Sequence, residues 1–458
     1  MHPILILIIG MVAILGAIIV LRMNAFLALI GAAIIVSLLS PGDVATKIAR
    51  VAEGFGRTAG SVGIVIALAA IIGNAMTESG GADRIVKSFL TVLGEKRAGV
   101  ALAATAFLLS LPVFFDTVFF LLAPLARSMY GRTNKNYLKY LVAMSASGVA
   151  THTLVPPHPG PLAMADLLGI DLGVMILMGI VVALPAAIVG YGFATWIDRK
   201  MPVPLRPRPG IEVEPPQPAA LPPLIPALLP VVMPVLLIAM NTIVDALRTW
   251  DPSHAALWTA LRPFTSIVGN PNFALLLSAI VAMWLYSSQR RPTRAEMAAM
   301  VEQSLMGAGV VILIVAAGGA FGAMLQAAQL GPAIQQMFAG GVRSEGSGFA
   351  FLFLAFGITV VFKVAQGSST VAMITAAGML AAMIKGIVLP FHPVYLATAI
   401  AAGSLIGSWM NDAGFWVFSK IGGVTEVETL KSWTPLLVIV GTVSMLTTVL
   451  LALMFPLR

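Results

Sequence analysis

Apolar stretches long enough, or nearly so, to cross a bilayer recur along the chain. In the N-terminal part they are Ile4 to Val20, Ala25 to Leu39, Ser61 to Met76 and Val174 to Trp196. Each approaches the roughly 20 apolar residues that a helix needs to span a hydrocarbon core about 30 Å thick. A Pro-rich, weakly charged stretch from Asp198 to Pro223 follows, and the pattern resumes with Leu224 to Leu247, Phe273 to Tyr286, Gly307 to Leu325 and Pro435 to Leu453. Proline lacks the backbone donor and blocks helix continuation, so 198–223 reads as a linker between two halves, 1–197 and 224–458. The first apolar segment is expected to be a retained span, because a cleaved leader would be followed by a polar chain.

Two places in each half break the spanning pattern. Ala101 to Phe115 and Phe349 to Phe362 are short apolar stretches that end in polar tips, FDT from Phe115 and KVAQGSST from Lys363, before apolar sequence returns. This pattern predicts re-entrant hairpins over about 100–127 and 349–386. Leu138 to Ala150 and Pro393 to Ile406 are interrupted by HTLVPPHPGP from His152 and by GSWMNDAG from Gly407. They predict broken helices over about 138–168 and 393–420, with His152 to Pro161 non-helical. Unwound backbone at membrane depth is tolerated only inside protein or against a wet cavity, so the four interruptions are expected to converge on a site.

The halves resemble each other in order. GNAMTESGGADRIVKSF from Gly73 aligns with GAMLQAAQLGPAIQQMF from Gly322, DTVFFLLAPLA from Asp116 with STVAMITAAGM from Ser369, and YLVAMSASG from Tyr140 with YLATAIAAG from Tyr395. If the hairpins do not cross, each half makes about five crossings, an odd number, and the halves take opposite orientations. With the linker in the cytoplasm, eighteen of the 27 Lys and Arg fall inside and eight outside, leaving Lys363 in the membrane. That follows the positive-inside rule and places both termini outside. The fold class expected is an all-α integral membrane protein of two inverted repeats, each with one re-entrant hairpin and one broken helix.

Composition narrows the function. Of 458 residues, 59% are hydrophobic and only 10% charged, against about 25% charged in soluble domains. The absence of cysteine excludes disulfides, thiolate metal sites and a cysteine nucleophile. The net charge of +8 is scattered between apolar spans rather than gathered on one face, which argues against nucleic acid. The partners expected are the bilayer and a small organic-acid solute.

Ionisable groups inside a membrane cost several kcal/mol unless paired or hydrated, so each is a functional candidate. Lys363 heads them, grouped at the second hairpin tip with Gln366, Gly367, Ser368, Ser369 and Thr370. A cation, hydroxyls and free amides at a half-helix start suit a carboxylate. The alternative is that Lys363 snorkels or pairs structurally with Asp116 or Asp412. Asp116 and Asp412 are each candidates to carry a proton or to be held ionised by such a partner, and Thr117 adds a hydroxyl. Asn411 either binds solute hydroxyls or caps a half-helix. His152 and His158 either bind solute and relay protons or satisfy unwound carbonyls. Their spacing, without Cys or a nearby Glu, does not make a zinc site, and no cofactor is expected beyond a coupling ion. Glu78, Ser79, Gly80 and Gly81 read as a helix terminus.

ESGGADRI from Glu78, LPVFFDTVFFLLAPLA from Leu111, HTLVPPHPGP from His152, KVAQGSSTVA from Lys363 and NDAGFWVFSKIGGVTEVETLKSWT from Asn411 together resemble the gluconate permease family. The resemblance covers nearly the whole length. It implies a proton symporter for gluconate or a related sugar acid in the bacterial cytoplasmic membrane, with the ion-transporter superfamily fold, a dimerising scaffold and elevator-type movement. Two departures stand out. Gluconate carriers often have Glu followed by Val-Gly where this chain has Asp116 and Thr117, and Arg where Lys363 stands. Arg holds a carboxylate bidentately and Lys does not, so the solute stays a class, with D-serine and other small carboxylates as alternatives. Sodium coupling, a passive facilitator and a membrane enzyme using the two histidines are the other readings. The last lacks a nucleophile or metal set.

Overall fold

The computed structural model describes residues 2–94, 97–133, 135–206, 221–250, 252–330, 333, 348–410 and 412–457. Among these the regular structure is entirely helical. The first half contains α1 (Pro3–Leu15), α2 (Ala25–Leu39), α3 (Ala49–Glu78), α4 (Gly81–Leu93), α5 (Ala98–Leu109), α6 (Phe115–Thr133), α7 (Tyr137–Leu154), α8 (Pro159–Leu168) and α9 (Leu172–Lys200). The second contains α10 (Leu224–Trp250), α11 (Ala255–Val268), α12 (Pro271–Arg290), α13 (Arg294–Ala327), α14 (Ala350–Gln366), α15 (Ser369–Met383), α16 (Val394–Gly403), α17 (Ala413–Gly422) and α18 (Glu426–Met454). Most of the predicted linker, 207–220, lies outside the described residues; its flanks, 201–206 and 221–223, are non-helical.

Among the described residues six helices, α3, α9, α10, α12, α13 and α18, are long and apolar enough to cross a membrane. The 29 residues of α9 and of α18 make rods about 43 Å long, which exceeds the hydrocarbon thickness and leaves room for tilt. Their faces are sorted as a lipid environment dictates. On α9, Leu177, Val181, Leu184 and Ile188 point outward, while Gly179, Ala183, Ala186 and Gly190 face inward. Small residues let backbones approach closely where no hydrophobic effect drives helices together. A Cβ on Gly179 would sit 2.3 Å from the Leu154 carbonyl of α7, and one on Gly441 of α18 would sit 2.7 Å from the Ala402 carbonyl of α16. The same kind of contact thus packs the long helix against the broken helix in both halves.

The order of elements runs twice: a helix–turn–helix (α5–α6, α14–α15), a broken helix (α7–α8, α16–α17), then a long helix (α9, α18). Each hairpin's second limb packs against the other half's broken helix. Phe119 of α6 stacks on Phe418 of α17 at 5.6 Å, and Gly160 of α8 lies against Met373 of α15. This exchange brings interrupted elements of the two halves into contact.

Some boundaries differ from the sequence expectation. The first break is narrower than His152 to Pro161: α7 continues through His152 to Leu154 and α8 begins at Pro159, leaving 155–158 with a cis bond between Pro156 and Pro157. Prolines 159 and 161 fit the first helical turn, where the missing N–H has no intrahelical partner to lose. Asp116 lies in the first turn of α6 rather than in the turn before it. The span expected at Ser61 to Met76 is the end of a helix that starts at Ala49, and α3 stops as anticipated at Ser79 and Gly80, the latter at φ +71°. The helix α11 was not foreseen.

Candidate functional site

The second hairpin turns within two residues. Gly367 closes α14 at φ +82°, a backbone conformation that suits glycine, and the Ser368 hydroxyl accepts from the Val371 amide to start α15. Lys363, on the last turn of α14, is completely buried. Its Nζ donates to the Gly367 carbonyl and lies 2.8 Å from Asp412 Oδ2. The structural alternative weighed for Lys363 is therefore realised in this conformation, with Asp412 as its partner. An ammonium this deep is tolerable only with such a counter-charge, because desolvation costs several kcal/mol per ion.

Asp412 is itself the N-cap of α17. Its Oδ1 accepts from the Gly414 amide at 3.0 Å, and its Oδ2 also accepts from the Ser408 hydroxyl. Ser408 Oγ in turn accepts from Trp433 Nε1 at 2.8 Å. Trp433, buried in α18, stacks on Phe418 and on Phe115 of the first hairpin, each at 5.5 Å. A Cβ on Gly414 would reach 2.9 Å from the indole, which explains the glycine. Ser369 Oγ donates to the Ser404 carbonyl at 2.8 Å, fastening the hairpin tip to the break in the neighbouring helix.

The far end of α17 is held from the first half and the start of the linker. Its terminal carbonyls lack intrahelical partners. Arg127 donates to that of Ile421 at 3.3 Å, Tyr137 to that of Gly422 at 2.6 Å and Arg206 to that of Gly423 at 3.4 Å. Arg206 also forms a two-pronged ion pair with Glu428 at 2.7 Å.

From the first half, Asp116 is exposed and close enough to Asp412 for the two carboxylates to repel. Among the described residues it has no hydrogen-bond donor or cation of its own. Thr117 and Thr370 align in the two repeats, each in the first turn of a hairpin's second limb, and both hydroxyls lack a partner among the described residues.

The histidines belong to the neighbouring layer. His158, 3% exposed, places Nε2 at 2.6 Å from the Ser110 carbonyl, and since a carbonyl only accepts, Nε2 carries the proton. The His152 ring lies 4.0 Å from that of His158, Phe114 packs on both, and His152 Nδ1 is buried without a partner. Ser110 stands six residues before Asp116, as Lys363 stands six before Ser369. The tie between His158 and Ser110 thus mirrors the pair of Asp412 and Lys363: a neutral bond in one half, an ionic one in the other. Asn411 lies outside the described residues, as does the side chain of Gln366. Sequence reasoning passed over Ser408 and Trp433, although both stand in or beside the quoted motifs.

Among the described residues, six helices long and apolar enough to cross a membrane, with a buried ion pair where a helical hairpin meets a broken helix, fit a multi-pass membrane transporter. The chain matches the GntP family permeases over residues 2–454 and belongs to that family. It is 33% identical to the gluconate permease of Pseudomonas aeruginosa, over 99% of this chain and 98% of that one. It is 29% identical to the low-affinity gluconate transporter of Escherichia coli K12, over 92% of each, and 28% identical to that organism's Gnt-II system L-idonate transporter, over 97% and 98%. Among solved structures the YdaH transporter of Alcanivorax borkumensis shares the fold, with a TM-score of 0.62 at 14% identity, over 94% of this chain and 98% of that one. MtrF of Neisseria gonorrhoeae gives 0.56 at 14% identity, over 94% of each.

Proposed function

We propose that this permease imports gluconate or a related small sugar acid together with protons across the bacterial inner membrane. The observation that carries the reading is the charge set of the site: one cation, Lys363, stands with two carboxyl groups, Asp412 and Asp116, which in their ionised forms leave one negative charge in excess. An organic anion adds a second, which a low-dielectric interior does not accept uncompensated. A proton entering with the anion restores the balance, which supports proton coupling.

In this account the solute carboxylate engages Lys363 and the start of α15, at Ser369, Thr370 and the amides beside them. Sugar hydroxyls meet the unpartnered Thr117 and Thr370, with Asn411 and the histidines as further candidates. The names of the relatives support a sugar acid, and the resemblance to their family supports elevator-type alternating access in a homodimer of inverted repeats. The distribution of Lys and Arg supports termini on the outer side.

Uptake of labelled gluconate into proteoliposomes tests the reading. Accumulation against a concentration gradient when an inward proton gradient is imposed supports it. Accumulation that ignores protons and requires sodium contradicts the coupling, and mere equilibration makes the protein a passive facilitator.

A further inference from the structure

Asp116 and Asp412 are both candidates for the coupled proton, and the hydrogen-bond inventory separates them. Asp412 receives three donors: the Lys363 ammonium and the Ser408 hydroxyl on Oδ2, and the Gly414 amide on Oδ1. Two of these, the ammonium and the amide, cannot turn round to accept from it. An ammonium and a backbone N–H have no lone pair to offer. Ser408 spends its single hydrogen on Oδ2, and the Trp433 indole N–H occupies one of its two lone pairs and so holds the hydroxyl in that orientation. The arrangement from Trp433 through Ser408 presents a hydrogen to a carboxylate. A proton placed on Asp412 would meet a site filled with donors.

Asp116 is the opposite case. It is exposed, it has no donor or cation of its own among the described residues, and the charged group that acts on it is the Asp412 carboxylate. The other titratable groups nearby are Lys363, which is committed to Asp412, and His152 and His158 behind Phe114, the latter donating to Ser110. We propose that Asp116 carries the coupled proton and that Asp412 is the fixed counter-ion of Lys363. This rests on the proton-symport reading above. The proton resides on an Asp116 carboxylate oxygen during the loaded step and leaves it when the solute is released. Trp433 and Ser408 are positioning residues that keep Asp412 ionised and aimed at Lys363.

The test uses the full chain in proteoliposomes as wild type, Asp116→Asn, Asp116→Glu and Asp412→Asn. One proton per solute supports about tenfold accumulation of gluconate per unit of pH difference. Asp116→Asn is expected to abolish that accumulation while keeping gluconate counterflow at equal pH, and Asp116→Glu to restore it. Infrared spectra recorded without solute are expected to show a protonated-carboxyl signal that appears with falling pH in wild type and Asp412→Asn and is missing from Asp116→Asn. Proton-driven accumulation by Asp116→Asn at the wild-type level overturns the proposal. So does an infrared signal that persists in Asp116→Asn and vanishes in Asp412→Asn. If wild type neither accumulates nor exchanges gluconate, the functional reading fails on its own, and the infrared comparison still decides the role of Asp116.

Discussion

The Lys363 ammonium and the Asp412 carboxylate, 2.8 Å apart, join the tip of one interrupted element to the start of another. The lysine side chain is wholly buried and the aspartate is 14% exposed. The end of α14 and the start of α17 thus depend on each other, since the buried ammonium delivered by one meets its counter-charge on the other.

Removing one member of such a pair strands the other. Lys363→Met is expected to destabilise the protein by about 3–5 kcal/mol, and Asp412→Asn, which keeps the cap on α17, by somewhat less. The double variant should recover much of the loss, because no buried charge then lacks a partner. Thermal unfolding of detergent-purified protein measures this, and effects that simply add would show that the two groups are not coupled.

Trp433→Phe keeps the stack on Phe115 and Phe418 but deletes the N–H that orients Ser408. One hydrogen bond of this kind contributes about 1 kcal/mol, or about fivefold in an equilibrium constant. The Michaelis constant for uptake should rise by that order while the maximal rate changes little. An unchanged constant would mean that the indole N–H has no hold on the site.

The hydroxyls of Thr117 and Thr370 have no partner among the described residues, so their isosteric replacement with Val removes no bond seen in the fold. Stability should stay within about 0.5 kcal/mol, as for substitutions outside any network. Uptake affinity should nonetheless fall, since a site that bonds a solute hydroxyl loses that bond. Equal affinity in both variants would remove the threonines from the site.

Glycines at helix crossings separate rigid from yielding contacts. A Cβ on Gly322 of α13 would meet the backbone of Gly378 at 2.8 Å, whereas one on Gly160 would meet only the flexible end of Met373. Gly322→Ala should therefore cost about 1–3 kcal/mol, the range for overpacking, and Gly160→Ala distinctly less. Comparable losses would show that the Met373 side chain is pinned.

Much of this architecture was legible in the sequence because apolar runs and their interruptions are set by the bilayer. The structure has a turn at Gly367 and Ser368 and a break before Asp412, where polar residues interrupt the apolar runs. Where prolines blurred the pattern, as at His152 to Pro161, the sequence suggested more unwinding than occurs, since proline at a helix start costs no hydrogen bond. Lys363 and Asp412 could be flagged as intramembrane charges, but three-dimensional packing decided that they pair. Ser408 and Trp433 gave no signal, because a serine near a glycine and a tryptophan near a helix end are common anywhere. Their role arises only from the approach of α18 to the break in the other helix.

The central claim is that the site around Lys363 and Asp412 holds the solute carboxylate. Ligand-induced thermal shift, scanned over gluconate and other small organic acids, tests it most directly on wild type and on the Lys363→Met, Asp412→Asn double variant. Binding at a hundred times the dissociation constant stabilises a protein by about 2.7 kcal/mol. The wild type should show such a shift with a sugar acid, and the folded double variant should show none. An equal shift in both would place the carboxylate elsewhere and contradict the account.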